Sequence, residues 1–270
     1  VQPLRGTLVT HLADGKVGPI QADELRAAEP TPAATFTALV RNVARVASLR
    51  HGDFLFYRGQ SQDWRSKSGK TTIYPSMFRP PAGASALRTA EVTARKTALD
   101  EAIAKIRARY RELGHTNELW RYREFATALL QHYELCLTPM VDLTTSLHVA
   151  ASFARGESGE EAGVVYAVAM PYPTETLSLY PRYGMALARL QSLCPPDARR
   201  PQFQEGWLVG RMPLTAEKTP DDDLGGRVVA KYALPAGPAF WDGQFHPIPQ
   251  DALLPADDPF ADRLRKILGG

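Results

Sequence analysis

Apolar positions recur along this chain with two periods, and the switching between them lays out its elements. Over residues 34–49 they fall at Phe36, Leu39, Val40, Val43 and Val46, the spacing of one face of an amphipathic helix. Phe54-Leu55-Phe56-Tyr57 is a short aromatic and apolar run that predicts a buried strand ending at Arg58-Gly59. Residues 85–113 are rich in Ala, Leu, Arg, Lys and Glu and stop at Gly114, which predicts a long helix. Further helices are predicted over 117–132, over the short apolar stretch 146–154, and over Pro259–Leu268 behind Asp257-Asp258. Gly163–Met170 carries the strongest strand pattern, halted by Pro171. Other strands are expected at Thr7–His11, 206–210 and 227–234. Apart from that first strand, residues 1–34 read as an irregular entry, and 35–270 as a single domain. Residues 60–83 show no period and read as a long loop, a kind of segment more often functional than idle. Helices concentrate in the N-terminal half and strands follow, the order of an α+β fold rather than of alternating βαβ units.

Composition narrows the class. The chain is 44% hydrophobic and 23% charged, the balance of a soluble globular protein. It has no apolar run of about 18 residues, the least a transmembrane helix needs, and its first residues lack the layout of a signal peptide. Cys136 and Cys194 are its two cysteines, too few for a disulfide scaffold or a Cys-based zinc site, so a cytoplasmic setting is the default. The net charge of +3 says little by itself, because phosphate binding rests on local clusters. One cluster exists at 88–123, where nine Lys and Arg stand against five Asp and Glu. It is either a solvated helix face laced with pairs such as Glu101–Lys105 or a patch for a polyanion.

Three polar clusters sit at the ends of predicted elements, where a scaffold aims side chains into a cleft. In Tyr57-Arg58-Gly59-Gln60, a guanidinium follows a buried run. It is either a strand end reaching solvent or a forked anchor for phosphate, with Gly59 allowing close approach. Gln131-His132-Tyr133-Glu134 is followed by Asp142-Leu143-Thr144-Thr145-Ser146-Leu147-His148. Those hydroxyls either cap the helix near Ser146 or meet a ligand beside His132. His132, His148 and Asp142 lack any metal-binding spacing such as HExxH, so no metal is expected. The third cluster runs from Arg199 to Leu208, with Gln204 and Glu205 where polar residues give way to a strand.

Taken together, these stretches resemble the FRG domain family, named for a Phe-Arg-Gly signature. Tyr57-Arg58-Gly59-Gln60 stands at that signature. Gln131-His132-Tyr133, then Asp142, Thr144, Ser146 and the apolar helix after them, resemble the central motif. Arg200 to Gly206 resembles its later Arg…Gln-Gln-Gly element, and Leu254-Pro255…Leu264 its close. The chain departs from the pattern at Tyr57 (for Phe), at 134–140, at Leu143 (for Trp) and at Glu205 (for the second Gln). The FRG pattern is in turn similar to that of ADP-ribosyltransferases of the Arg/Ser-Thr-Ser/Glu kind, with Arg58, Thr144-Thr145-Ser146 and Glu205 in that order.

The resemblance implies an ADP-ribosyltransferase-like split β-sheet core and an NAD-dependent transferase with NAD as co-substrate and no metal. It also implies a toxin or defence effector, working in the cytoplasm or delivered to a target cytoplasm. Its partners would be a macromolecular acceptor, nucleic acid (DNA or RNA) favoured over protein, and an antitoxin or immunity protein. Arg58 and Glu205 are the expected catalytic pair. Arg58, Gly59, Thr144, Ser146, Tyr133 and His132 are expected around NAD and Gln204 at the acceptor. Independently of the resemblance, the 60–83 loop, with Trp64, Arg65, Lys67, Lys70 and Tyr74, interleaves aromatics with cations and is a candidate for acceptor or cofactor contact, Trp64 and Arg65 first. The chemistry asks for such a set. Breaking the nicotinamide–ribose bond passes through an oxocarbenium-like transition state, which a carboxylate stabilises, while a guanidinium holds the two phosphates. A GxGxxG fingerprint, which a Rossmann dinucleotide site would need, is absent. Two alternatives remain: a nucleotide- or nucleic-acid-binding module without chemistry, and a hydrolase using Ser146, His132 and Asp142, which lacks a GxSxG elbow.

Overall fold

In a computed structural model the described residues are 1–84, 86–114, 120–215 and 217–269. They form a mixed α+β fold around one large mixed sheet. The entry segment, expected to be irregular beyond its first strand, contains a hairpin of β1 (Thr7–His11) and β2 (Val17–Gln21) followed by helix α1 (Ala22–Ala27). Leu8 and Leu25 bury into the same core as the next helix, which is why this stretch is ordered despite its weak pattern.

The large sheet takes β3 (Thr31–Pro32), β4 (Phe54–Gln60), β5 (Met140–Thr144), β6 (Gly163–Met170), β7 (Leu177–Tyr180), β8 (Met185–Arg189), β9 (Gly206–Arg211) and β10 (Val228–Leu234). Their spatial order is β3-β10-β6-β4-β5-β9-β8-β7. The edge pair β10–β3 is parallel and the other pairs are antiparallel. Strands are therefore not confined to the second half of the chain. β5, β7 and β8 escaped the pattern because they are short, and β5 carries Asp142 amid its apolar residues. β6 is buried along its whole length. Its side chains alternate between two cores, Val165, Ala167 and Ala169 in one and Val164, Tyr166, Val168 and Met170 in the other, as a pleated strand covered on both faces must.

The sheet is nearly parted in the middle. β4 pairs with β6 from Phe54↔Met170 to Gln60↔Val164, and β5 pairs with β9 along its whole length. Between β4 and β5 the register holds one pair, Tyr57↔Thr144. Continued ladder pairing would set Arg58 opposite Leu143 and Gly59 opposite Asp142, but the strands splay apart there.

Helix α2 (Phe36–Ser48) is capped by the Thr35 hydroxyl and buries Phe36, Leu39, Val43 and Val46. The expected 85–113 helix is shorter. It runs as α3 (Thr89–Ala108) and gives way to a 3-10 turn over Tyr110–Leu113. The 117–132 helix is interrupted: Trp120 and Arg121 are helical, Tyr122 is extended, and α4 (Arg123–His132) follows; residues 117–119 lie outside the described residues. α5 (Leu147–Ala154) is capped by Ser146. Three short helices, α6 (Leu190–Leu193), α7 (Arg199–Gln204) and α8 (Gln250–Leu253), were not anticipated, and α9 (Pro259–Leu268) closes the chain as expected. Among the described residues no helix is long and apolar enough to cross a membrane.

Along 88–123, four of the nine cations form ion pairs among the described residues. Arg88 pairs with Glu91, Lys96 and Arg123 with Asp100, and Arg109 with Glu112. Lys105 turns to the Leu268 carbonyl at 2.8 Å rather than to Glu101.

α5 lies directly on β4 and β6 at two glycines. A Cβ on Gly59 would stand 1.9 Å from the Ala150 carbonyl oxygen, and one on Gly163 2.0 Å from that of Ala154. Backbone cannot yield as a side-chain tip does, so Gly59→Ala should cost at least about 1–3 kcal/mol. The check is the urea midpoint, expected to fall with the denaturant slope unchanged.

Candidate functional site

The gap between β4 and β5 opens into a cavity of about 240 Å³. Tyr57, Arg58 and Gly59 line it from β4, Asp142 and Thr144 from β5, and His132 from the end of α4. Val149, Ala150 and Phe153 of α5 give it an apolar wall, with Gln204, Arg200 and Leu254 at the far side. Of the residues expected around a ligand, Arg58, Gly59, His132, Thr144 and Gln204 thus meet at one cavity although they come from three distant stretches of sequence.

Arg58 bridges the splayed strands. Its Nη1 donates to the Asp142 carbonyl at 2.6 Å, and its Nε is buried without a protein partner. Burial lowers the guanidinium's pKa, with Asp142 and Tyr166 opposing; an arginine so placed still carries its charge. The Arg58 side chain therefore retains donor capacity toward an anionic ligand.

Behind Asp142 stands a polar chain. Its Oδ1 lies 3.1 Å from His132 Nδ1, and its Oδ2 accepts from Gln131 Nε2 at 3.0 Å. Gln131 Oε1 in turn accepts from Ser76 at 2.8 Å and Thr138 at 2.7 Å. Burial pushes the Asp142 carboxyl up, but the contact with His132, the Arg58 charge and the Gln131 amide outweigh it and hold it below the usual carboxylate range. His132 is 1% exposed, and its Nε2 is buried without a partner. Its ring is packed so closely on the start of β9 that a Cβ at Gly206 would lie 2.9 Å from Cε1. Because Nδ1 faces the Asp142 carboxylate, the neutral ring carries its proton there and leaves Nε2 as an acceptor.

The hydroxyl segment and the third cluster join at the same end of β5. Thr144 Oγ1 donates to the Gln204 carbonyl at 2.7 Å, and Thr145 Oγ1 donates to Glu205 Oε2 at 3.1 Å. Glu205 does not start β9, as its position suggested. It ends α7 in the left-handed region, with φ 47° and ψ 46°, a conformation uncommon for a residue with a side chain but a regular way of closing a helix. Glu205 is partly buried but does not line the cavity; Thr145 ties it to the segment that does. Asp142 and Thr145, the anchors of Arg58 and Glu205, are three residues apart, about 10 Å in extended chain.

Other expected residues lie elsewhere. Tyr133 points into the core, where its hydroxyl donates to Asp258 at 3.0 Å, and burial raises its pKa; it does not line the cavity. Ser146 spends its hydroxyl on the Val149 amide as the α5 cap, a structural duty that also weakens its case as a hydrolase nucleophile. Gln204 Nε2 is engaged by the Leu253 carbonyl at 2.7 Å. Arg65 is held by Asp63 and Glu29 at 2.9 and 3.0 Å and by the carbonyls of Ala27 and Ala28, so it staples the 60–83 loop to the end of α1. Trp64 is 52% exposed and lines a different cavity. His148 bonds the His246 carbonyl, away from His132. Among the described residues no group of three or more His, Cys, Asp or Glu is arranged to hold a metal ion.

Three features had no sequence signal strong enough to select them. The Asp142–His132 contact joins residues noted for another purpose. The Arg200–Glu134 ion pair (3.1 Å) and the apolar face of Phe153 are set by packing.

A folded carboxyl held below its unfolded value contributes stability that is complete above about pH 3.9 and lost as pH falls through the folded value. Asp142→Asn should therefore cost roughly 1 kcal/mol at pH 7, the figure kept low because a third of the side chain is exposed. That cost should shrink as urea titrations are carried below about pH 4.

Comparison of the chain with family models, curated proteins and solved structures finds no match to any of them, so the reading of the site rests on its own geometry.

Proposed function

We propose that this protein is an NAD-dependent ADP-ribosyltransferase whose site is the cavity between β4 and β5. The observation that carries the reading is the parted sheet. An arginine stands in the gap, and a threonine at the adjoining strand end is hydrogen-bonded to a glutamate. An ADP-ribosyltransferase-like split core, expected from the resemblance to the FRG family, would have this order of parts.

In this reading Arg58 binds phosphate oxygens with its unused donors, each charge-assisted bond contributing about 1.5–3 kcal/mol. At 240 Å³ the cavity is smaller than most small-molecule sites, which run to roughly 300–1,000 Å³, and it suits the nicotinamide–ribose end of the dinucleotide rather than the whole. Val149 and Phe153 offer apolar surface to the nicotinamide ring. Thr144 and Thr145 shape the hydrogen bonding around the ribose. Glu205 turns its carboxylate toward the ribose and stabilises positive charge at the anomeric carbon as the glycosidic bond breaks. Nicotinamide leaves as a neutral molecule, so no strong acid is needed. A toxin or defence role, and DNA or RNA as acceptor, belong to the same proposal. The exposed Trp64 supports a nucleic-acid acceptor.

A second reading, a nucleotide-binding module without chemistry, is favoured by the absence of Glu205 from the cavity lining. The two readings part on turnover. Nicotinamide release from NAD, followed by chromatography with mixed DNA, RNA and protein as acceptors, should be measurable for the wild type. Arg58→Ala should weaken NAD binding ten-fold or more. Glu205→Gln should keep binding within about three-fold and lower turnover by at least 10²-fold. Full nicotinamide release by Glu205→Gln would remove that residue from the mechanism. Binding with no release under any acceptor would favour the module.

A further inference from the structure

A second cavity, of about 550 Å³, lies beside the first and is lined by Gln60, Trp64, Tyr74, Arg79 and Lys218. Gln60 and Arg58 are two residues apart on β4, so they share a face of the strand. Both cavities therefore sit at the same end of β4. The charges of Arg58 and Asp142 at the first cavity both act on the Arg79 guanidinium, in opposite directions.

Its lining is chemically uneven. Trp64 presents an indole that is half exposed, while its backbone carbonyl accepts from Thr72. Lys218 Nζ stands 4.4 Å over the Tyr74 ring and 3.3 Å from the Phe78 carbonyl. Arg79 Nε donates to the Tyr74 carbonyl at 2.7 Å, which fixes the base of its fork; among the described residues nothing bonds its two terminal nitrogens. Among the described residues neither Arg79 nor Lys218 forms an ion pair with a carboxylate, whereas Arg65 at the same rim forms two. Gln60 Oε1 is buried and has no donor. An open aromatic plate, two cations without counter-ions and an unused amide acceptor match a ligand with a flat base, an exocyclic amine and a phosphate.

We propose that this cavity is a binding site for a nucleoside monophosphate unit, its base stacked on Trp64 and its phosphate held between Arg79 and Lys218. Base–aromatic stacking tolerates any base, and the planar fork of Arg79 suits phosphate oxygens. Two sources carry this chemistry: the adenylate end of NAD, which rests on the transferase reading above, and a nucleotide of a nucleic-acid acceptor, which does not need NAD at all.

The test is calorimetric titration of the full chain with AMP, adenosine and a short single-stranded oligonucleotide. AMP should bind saturably and at least ten-fold more tightly than adenosine. Trp64→Ala and Arg79→Ala should each weaken AMP at least ten-fold with circular dichroism unchanged. Trp64→Phe and Arg79→Lys should recover part of the loss. Competition then identifies the source. Displacement of AMP by NAD assigns the cavity to the dinucleotide, and displacement by the oligonucleotide but not NAD assigns it to the acceptor. Absence of AMP binding, or binding untouched by both Trp64→Ala and Arg79→Ala, overturns the proposal. AMP binding without nicotinamide release leaves this site standing and removes the transferase, while release without AMP binding does the reverse.

Discussion

β4 and β5 diverge beyond the Tyr57–Thr144 pair, and Arg58 reaches across the opening to the Asp142 carbonyl. Backbone groups at a parted ladder must find partners elsewhere or face water, and here a guanidinium supplies one of them. Each half of the sheet is held from its own side, β4 by β6 and α5, β5 by β9. The opening is therefore maintained by well-packed neighbours on both flanks. A cleft built in this way keeps its shape without a ligand, which is what pre-organised recognition requires.

The polar residues around the opening are held in series. Ser76 and Thr138 orient Gln131, Gln131 and His132 orient Asp142, and Asp142 selects the tautomer of His132. Such a chain fixes side chains on α4 and β5 relative to each other. It also explains why Gly206 is a glycine, since the His132 ring occupies the space a Cβ would take. At the other end Thr144 and Thr145 hold the end of α7, and Glu205 adopts the left-handed turn between α7 and β9. Ser146 belongs to this segment by position but serves α5 as its cap.

Much of the fold was legible in the sequence where an element is long and its pattern clean. Thr7–His11, Gly163–Met170 and Pro259–Leu268 have the limits read from the residues, and α2 and β4 differ by a residue or two at their ends. Legibility failed at short elements. β5 reads as a polar cluster because Asp142 interrupts it, yet pairing with β9 makes it a strand. α7 begins with Arg199-Arg200-Pro201, which shows no helical face until Asp258 and the carbonyl of Leu253 take up its polar groups. The loop at 60–83 was flagged as chemically rich, but its backbone path separates Trp64, left open, from Arg65, consumed in ion pairs.

The sequence by itself determined the element types with strong periodicity, the apolar runs that form three cores, and the residue kinds able to meet a phosphate or a ribose, because those depend on local spacing and side-chain chemistry. Tertiary structure alone decided which of them converge. It set Arg58, His132 and Thr144 at one cavity, turned Tyr133 into the core, spent Arg65 on Asp63 and Glu29, and brought Arg79 and Lys218 together across 138 intervening residues. The physical reason is that convergence follows from strand order and from where backbone pairing stops, and both are settled by packing between segments far apart in the chain.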